Sequence, residues 1–317
     1  MTSVTVRVPA KINLQLAVGP LRQDGYHGLV TVFHAISLFD EVTVAPAGTD
    51  SVTVQGEGAE HVPESDDNLA LRAVRQLRKA IAEGGRVGPV DGVGGGVGDV
   101  GPVAVAISKH IPVAGGMAGG SADAAAALVA CNELWHAGLT KQELCEIGAI
   151  VGSDVAFAVT GGTAVGRGRG EQLTPMPVPQ TQYHWVLAMP DGHLSTPKVY
   201  AKLDEQRAYQ EVPEPELSNE LVTALATGNA THLAAAISND LQEPAISLFP
   251  ALRKTLDAGR ESGALAASVS GSGPTCFFLA SDQAHATHLA ASLSAAGVCR
   301  AVTTATGPVE GASVVAV

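Results

Sequence analysis

Hydrophobic and polar residues alternate along most of the first 55 residues, with the two-residue period that is typical of half-buried β-strands. The alternation predicts short strands at residues 4–8, 12–18, 30–39, 41–44 and 52–55, with a turn at 20–25. The apolar period then lengthens to that of a helix from Leu69 to Ile81, behind an Asp67-Asn68 pair that can cap it. The chain therefore begins as a sheet and continues into helices.

The remainder of the chain mixes both periods. Helices are predicted at 121–136, 141–151, 218–226, 230–236, 250–262 and 282–296, and strands at 103–108, 163–165, 185–189, 266–269, 276–279 and 299–305. Prolines between Pro175 and Pro215 mark the passage from a first lobe, residues 1–170, to a second lobe, residues 171–317. The order of strands and helices predicts an α+β protein.

Residues 84–102 contain nine glycines and two prolines. A glycine-rich stretch can cradle a phosphate, but no strand-to-helix junction follows this one. The composition favours a flexible surface loop instead.

Composition and charge argue against a nucleic-acid-binding, secreted or membrane-spanning protein. A formal net charge of −12 argues against a nucleic acid partner, which needs a basic surface, but leaves room for a small anionic ligand. The four cysteines are dispersed without a C-x-x-C pair, as in a cytosolic protein with reduced thiols. The first residues lack the apolar core of a signal peptide, and no apolar run approaches the ~20 residues of a membrane span. We therefore expect a soluble, cytoplasmic protein without a membrane partner.

The segment from Pro112 to Asp123 carries the most information about chemistry. It reads PVAGGMAGGSAD and lies between a predicted strand and a helix whose first turn has small residues. Glycines let backbone N–H groups approach an anion, and the start of a helix adds a partial positive charge. The segment lacks the lysine of a Walker loop, the G-x-G-x-x-G fingerprint and the G-x-S-x-G elbow. It is either a polyphosphate-binding loop or a tight turn that packs a helix on a sheet.

Three segments in order give the chain its resemblance to a known family. PAKINL at 9–14, the loop at 112–121 and SGSGP at 270–274 resemble the three motifs of the GHMP kinases, which include galactokinase and the homoserine, mevalonate and phosphomevalonate kinases. The resemblance implies ATP and Mg²⁺ as cofactors. It also implies an α+β, two-lobed fold, with an N-terminal lobe like domain 2 of ribosomal protein S5 and a ferredoxin-like C-terminal lobe.

The same resemblance implies which residues hold the nucleotide. The loop departs from the family pattern at Met117, Ala118 and Ala122, where the family has leucine, glycine and serine. We expect Ala118 to keep an ordinary φ and its N–H, and Ser121 to contact Mg²⁺ or phosphate. The implied ATP-binding residues are Pro112, Val113, Ala114, Gly115, Gly116, Met117, Ala118, Gly119, Gly120, Ser121 and Ala122 of the loop, Gly271 and Gly273 of the last motif, and Asn68 and Lys109.

Phosphoryl transfer to an alcohol needs a place for the hydroxyl proton and a charge that orients it. By resemblance, Lys11 of PAKINL and Asp154 of GSDVAF supply these two catalytic groups. From chemistry alone, Asp154 looks like a helix cap and Lys11 like a solvated charge on an edge strand.

The segment Asp24-Gly-Tyr-His27 indicates the acceptor alcohol. An aromatic ring can stack on a pyrimidine and an imidazole can bond to its polar edge, although a hairpin turn would also explain these residues. The pattern resembles the branch of the family that acts on a cytidine-diphosphate-linked alcohol, CDP-methylerythritol. In that branch Tyr26, His27 and Tyr200 would hold the cytosine and Asn13 the polar chain.

The resulting expectation is ATP-dependent phosphorylation of the 2-hydroxyl of CDP-methylerythritol, in the non-mevalonate route to isoprenoid precursors, by a monomer or homodimer. Two alternatives remain open: a mevalonate- or homoserine-type GHMP kinase, and a non-catalytic nucleotide-binding protein of the same fold. The segment Gly166-Arg-Gly-Arg-Gly170 is either a basic turn near phosphate or a β-turn with solvated arginines.

Overall fold

A computed structural model describes residues 3–84, 100–179 and 181–315. Most of the glycine-rich stretch predicted to be a flexible loop, residues 85–99, lies outside the described residues. The α+β class is confirmed, with two sheets and helices packed on them. In the described ranges no helix is long and apolar enough to cross a membrane.

The strands are β1 (Val4–Leu21), β2 (His27–Pro46), β3 (Ser51–Gly56), β4 (Val103–Lys109), β5 (Thr163–Gly168), β6 (Gln172–Pro175), β7 (Tyr183–Met189), β8 (Ser238–Asn239), β9 (Ala266–Val269), β10 (Cys276–Ala280), β11 (Ala301–Gly307) and β12 (Ser313–Val314). The helices are α1 (Leu69–Gly84), α2 (Gly119–Leu134), α3 (Lys141–Val151), α4 (Val155–Thr160), α5 (Thr196–Arg207), α6 (Asn219–Thr227), α7 (Ala230–Ala236), α8 (Gln242–Leu248), α9 (Ala251–Glu261) and α10 (Gln283–Ala296). A short 3₁₀ turn covers Ala59–His61.

The larger sheet is organised around two long antiparallel strands, β1 and β2. Its order is β12-β1-β2-β4-β3. The first half of β2 pairs with β5 and its second half with β4, while β6 pairs with β5 and β8 pairs with β1. Two late segments of the chain, β8 and β12, therefore return to the strand that begins it.

The prediction of separate short strands at 4–8 and 12–18, and at 30–39 and 41–44, is wrong. Each pair is one continuous strand whose pairing shifts register between Pro9 and Ala10 and again between Asn13 and Gln15. Such bulges interrupt the alternation of side chains without ending the strand, so the pattern looks like a break. They lie on either side of Lys11.

The smaller sheet has the order β11-β7-β10-β9 and is antiparallel throughout. Its side chains alternate between two cores. Trp185 and Leu187 join the core under the larger sheet, whereas Val186 and Ala188 join a second core formed with α5, α8, α9 and α10. The smaller sheet therefore connects the two lobes.

The helices α1, α2, α3 and α4 bury their apolar faces in the first core. All six alanines of α2 are buried, which lets this helix lie close to the strands. A capping box of Thr140 and Glu143 begins α3, and Asn229 caps α7. The helices α4, α5 and α8 were not predicted; α4 has only six residues and α5 follows a proline-rich stretch.

Candidate active site

A cavity of about 520 Å³ opens where the two lobes meet. Its walls come from the loop at 112–121, strands β1 and β2, the start of α4, the turn at 168–171, the start of α5 and the turn at 270–274. The loop contributes Ala114, Gly115, Gly116, Ala118, Gly119, Gly120 and Ser121 to the lining. The loop and the other two predicted motifs therefore meet in one cavity.

The first residues of α2, Gly119, Gly120 and Ser121, line the cavity with their backbone. Within the loop, Ala118 directly precedes α2 and gives that helix no side-chain cap. The N–H groups of the first helical turn therefore have no intrahelical acceptor, and they point to the side from which an anion can approach. The expectation that Ala118 keeps an ordinary φ is wrong, since it adopts the left-handed conformation at φ 61°. The chain needs this conformation to turn the loop into the helix, and an L-residue holds it only with strain.

The carbonyl of Gly116 connects the loop to the two other motifs. Its oxygen accepts hydrogen bonds from Lys11 Nζ at 2.9 Å and from Ser270 Oγ at 3.0 Å. The N–H of Thr275 also donates to Gly115 O at 3.2 Å. The loop and the turn at 270–274 are thus held against each other, with Gly271 beside Lys11 and Asn13.

Lys11 is buried, with a side chain only 8% exposed, and faces the cavity from β1. Its ammonium donates to Asn13 Oδ1 at 2.8 Å and lies 3.8 Å from Asp154 Oδ2. Burial lowers the pKa of Lys11, while the charge of Asp154 and a hydrogen bond to it oppose that shift. The ammonium is therefore fixed by three partners at a point where a reacting oxygen can reach it.

Asp154 stands at the N-terminal end of α4, the position of a helix cap. Its side chain nevertheless makes no capping hydrogen bond, and it is 29% exposed toward the cavity. A carboxylate that is free of the helix can accept a proton from an alcohol. The cap explanation of Asp154 is not supported by this geometry.

Asn13 is held in place by a second strand. Its amide donates to Thr31 Oγ1 at 2.8 Å, and the Thr31 hydroxyl donates to Gln15 O at 2.7 Å. The predictions from sequence missed Thr31 and Phe33, which line the same cavity from β2. Their spacing of two residues places both on one face of a strand, and that signal was present in the sequence.

A second cavity of about 610 Å³ lies beside the first, and the residues predicted to bind the base line it. Tyr26 is 52% exposed on the hairpin turn, and the rings of His27 and Tyr200 stack with their centroids 5.4 Å apart. His27 Nδ1 donates to Gly19 O at 2.8 Å, which leaves Nε2 facing Asp204 Oδ1 at 3.3 Å. The two cavities share Leu29, Arg169, Thr196 and Tyr200, so they form one continuous space.

Several of the residues predicted to bind ATP do not line either cavity. Met117 is fully buried in the first core, so only its backbone can serve the loop. Asn68 begins α1, where its Oδ1 accepts from Ala70 N and its Nδ2 donates to Pro63 O. Pro112, Val113, Ala122 and Gly273 are also outside the cavity linings.

Lys109 is likewise buried below the loop rather than exposed to the cavity. Its ammonium pairs with Asp40 and, at 2.8 Å, with Asp123 Oδ2. Burial acts to lower the pKa of Lys109, but the charges of Asp123 and Asp40 outweigh it and hold that pKa above its ordinary value. Burial raises the pKa of Asp123. Asp40 also accepts from the N–H groups of His110 and Ile111, so this cluster fixes the chain just before the loop.

Two oxygen-bearing side chains of the cavity fit the needs of a magnesium ion that is bound by both protein and phosphate oxygens. Mg²⁺ commonly takes one or two protein oxygens and completes its shell with phosphate oxygens and water. Ser121 and Asp154 line the same cavity, and a Cβ built on Gly152 would lie 3.8 Å from Ser121 Oγ. The hydroxyl therefore lies near the segment that carries the carboxylate, beside the loop.

Comparison with known proteins gives a consistent result. Residues 68–162 match the model of the GHMP kinases N-terminal domain, and residues 221–299 match that of the GHMP kinases C-terminal domain. The 4-diphosphocytidyl-2-C-methyl-D-erythritol kinase of Thermobifida fusca is 54% identical, covering 99% of both chains. The enzyme of the same name from Mycolicibacterium smegmatis is 51% identical over 99% of this chain and 92% of its own.

Solved structures show the same fold. A crystal structure of 4-(cytidine 5'-diphospho)-2C-methyl-D-erythritol kinase superposes with a TM-score of 0.73 and 31% identity, covering 95% of this chain and 98% of the other. The homoserine kinase of Cytophaga hutchinsonii superposes with a TM-score of 0.72 at 18% identity, covering 99% and 98%. At that identity the second likeness shows the fold alone.

Proposed function

The chain belongs to the GHMP kinase family, and on that basis we propose that it phosphorylates the 2-hydroxyl of 4-diphosphocytidyl-2-C-methyl-D-erythritol with ATP. The observation that carries the proposal is the pair of joined cavities. One holds the lysine, the carboxylate and the glycine loop, and the other holds Tyr26, His27 and Tyr200. A substrate with a pyrimidine at one end and an alcohol at the other fits such a space. The reaction belongs to the non-mevalonate route to isoprenoid precursors.

The roles of the residues follow from their positions. The N–H groups of the loop and of the first turn of α2 would bind the triphosphate of ATP. Mg²⁺, held by Ser121 and phosphate oxygens, would neutralise charge on the transferring group. Lys11 would orient the acceptor hydroxyl and stabilise negative charge on it, and Asp154 would accept its proton late in the transfer.

The specificity for the alcohol depends on the second cavity. Mevalonate and homoserine carry no base, so they would leave the second cavity, which Tyr26 and Tyr200 line, unfilled. We therefore infer that an alcohol that carries cytidine diphosphate is strongly preferred.

The test is a coupled assay of ADP release with Mg-ATP and three alcohols: diphosphocytidyl-methylerythritol, mevalonate and homoserine. We expect turnover with the first alone. Turnover of mevalonate or homoserine at a similar rate would identify another GHMP kinase. Nucleotide binding without ADP release from any of the three would support the non-catalytic alternative.

A further inference from the structure

Arg169 lies in the turn between strands β5 and β6, at the junction of the two cavities. The turn has glycines at φ 73° and φ 107° on either side of the arginine, at Gly168 and Gly170. The carboxylate of Glu171 accepts a hydrogen bond from the backbone N–H of Arg169 at 2.6 Å. Because Glu171 binds the backbone rather than the guanidinium, the turn holds its shape and leaves the arginine side chain free.

The guanidinium of Arg169 lies over the ring of Tyr26, with its carbon 4.2 Å from the ring centroid. This is the geometry of a cation–π contact. Arg169 lines both cavities, and in the described part of the chain no carboxylate lies within ion-pair distance of it. It is also exposed, so an incoming ligand can reach it.

The other charges of the two cavities already have partners. Lys11 is bound to Asp154, Asn13 and the carbonyl of Gly116, and Asp204 faces the imidazole of His27. Among the residues that the structure describes, Arg169 is therefore a cation at the junction without a carboxylate partner. A ligand that spans the two cavities places its central part at that junction.

We propose that Arg169 binds the diphosphate that joins the base to the alcohol in the substrate. This inference rests on the proposed function, which supplies a diphosphate at the junction. A guanidinium can donate two parallel hydrogen bonds to phosphate oxygens and keep its flat face on an aromatic ring. Arg169 would thus fix the diphosphate and hold Tyr26 against the base at the same time.

The experiment measures the binding of two probes, cytidine and cytidine diphosphate, by calorimetry at fixed salt. The variants are Arg169→Ala and Arg169→Lys. The matched control is Arg167→Ala, since Arg167 is an exposed arginine two residues away that lines neither cavity. The quantity compared is the ratio of the two affinities, because cytidine reports on the base site and the diphosphate reports on Arg169.

In the unmodified protein we expect cytidine diphosphate to bind more tightly than cytidine. Arg169→Ala should reduce that ratio by about 10- to 100-fold, the usual effect of losing charge-assisted hydrogen bonds. Arg169→Lys should restore part of the ratio, and Arg167→Ala should leave it unchanged. The KM for the alcohol should rise in Arg169→Ala while the KM for ATP stays constant.

Each of the following results would overturn the assignment. Equal losses for both probes would show that Arg169 acts on the base alone. A loss in Arg167→Ala as large as in Arg169→Ala would show a general effect of surface charge. A rise in the KM for ATP alone would place the guanidinium at the nucleotide. If the unmodified protein turns over the alcohol and Arg169→Ala has the same affinities and KM values, the inference fails while the proposed function stands. If the unmodified protein neither binds cytidine diphosphate nor turns over the alcohol, the proposed function itself fails.

Discussion

The Gly116→Ala variant tests whether the loop and the turn at 270–274 must touch. Gly116 has a φ of 78°, and a Cβ built on it would lie 2.0 Å from Ser270 O and 3.1 Å from the backbone of Gly273. Real Cβ contacts do not fall below 3.0 Å, so the two segments would have to separate by about 1 Å. The neighbour is backbone, which cannot rotate away as a side chain can.

The size of the effect follows from what the separation breaks. An L-residue at this φ costs about 1–2 kcal/mol. The Gly116 carbonyl would also lose its hydrogen bonds from Ser270 Oγ and Lys11 Nζ, which are together worth about 2–4 kcal/mol. We expect the free energy of unfolding to fall by about 3–6 kcal/mol and the Tm by roughly 5–10 °C. Because Lys11 loses one of its three partners, kcat should fall by about 100-fold.

The assay combines thermal unfolding with initial rates of ADP release. The control is Gly120→Ala in the same loop, where the built Cβ meets only Leu69 Cδ1, at 3.3 Å, and where φ is not positive. Its Tm should stay within about 2 °C of the unmodified value, which corresponds to ~1 kcal/mol. A Gly116→Ala variant with an unchanged Tm and kcat would refute the reasoning, as would a Gly120→Ala variant that is equally unstable.

Three further changes probe the rest of the structure. Lys109→Met leaves Asp40 and Asp123 buried without their cation and should lower the free energy of unfolding, measured in urea, by about 3–5 kcal/mol. A decrease below ~1 kcal/mol would contradict the claim that Lys109 neutralises these two buried carboxylates. Burial lowers the pKa of His34 from 6.5 to about 3, so between these values the unfolded chain binds a proton that the folded chain does not. The stability contributed by neutral His34 is complete above pH 6.5 and decreases as the pH falls toward 3, by about 1.4 kcal/mol per pH unit. His34→Gln should therefore remove that slope when the free energy of unfolding is measured in urea between pH 7 and 5. An identical slope in His34→Gln would contradict the assignment. Ala118→Gly should raise the free energy of unfolding by about 0.5–1 kcal/mol, because glycine adopts this φ without strain, and lower stability would count against strain at that residue.

Local patterns in the sequence predicted the parts of the fold that depend on local interactions. The helix α3 and the strand β9 have the bounds expected from their periodicity. The bulges near Lys11 could not be read from the pattern, because a register shift alters pairing with β2 and not the composition of the strand. The φ of Ala118 depends on how the loop enters α2, which one residue type cannot reveal.

The site shows the same division between local and distant contacts. Periodicity gave no reason to place Lys11 near Asp154, since they are far apart in the chain; only the resemblance to a family suggested it, and the structure has them 3.8 Å apart. Lys109 was expected at the nucleotide, yet two carboxylates from distant segments hold it below the loop. Arg169 was left between a solvated turn and a phosphate contact, because its position depends on how the turn packs against Tyr26.

The most direct test of the central claim is the turnover of Asp154→Asn measured beside its affinity for ATP. The amide is nearly the same size and the Asp154 side chain caps no helix, so the fold should be kept. The carboxylate faces Lys11 in the first cavity, and its loss should lower kcat by about 100-fold or more with the Kd for ATP changed less than about threefold. Turnover near that of the unmodified protein would contradict the claim that Lys11 and Asp154 act together on the acceptor hydroxyl.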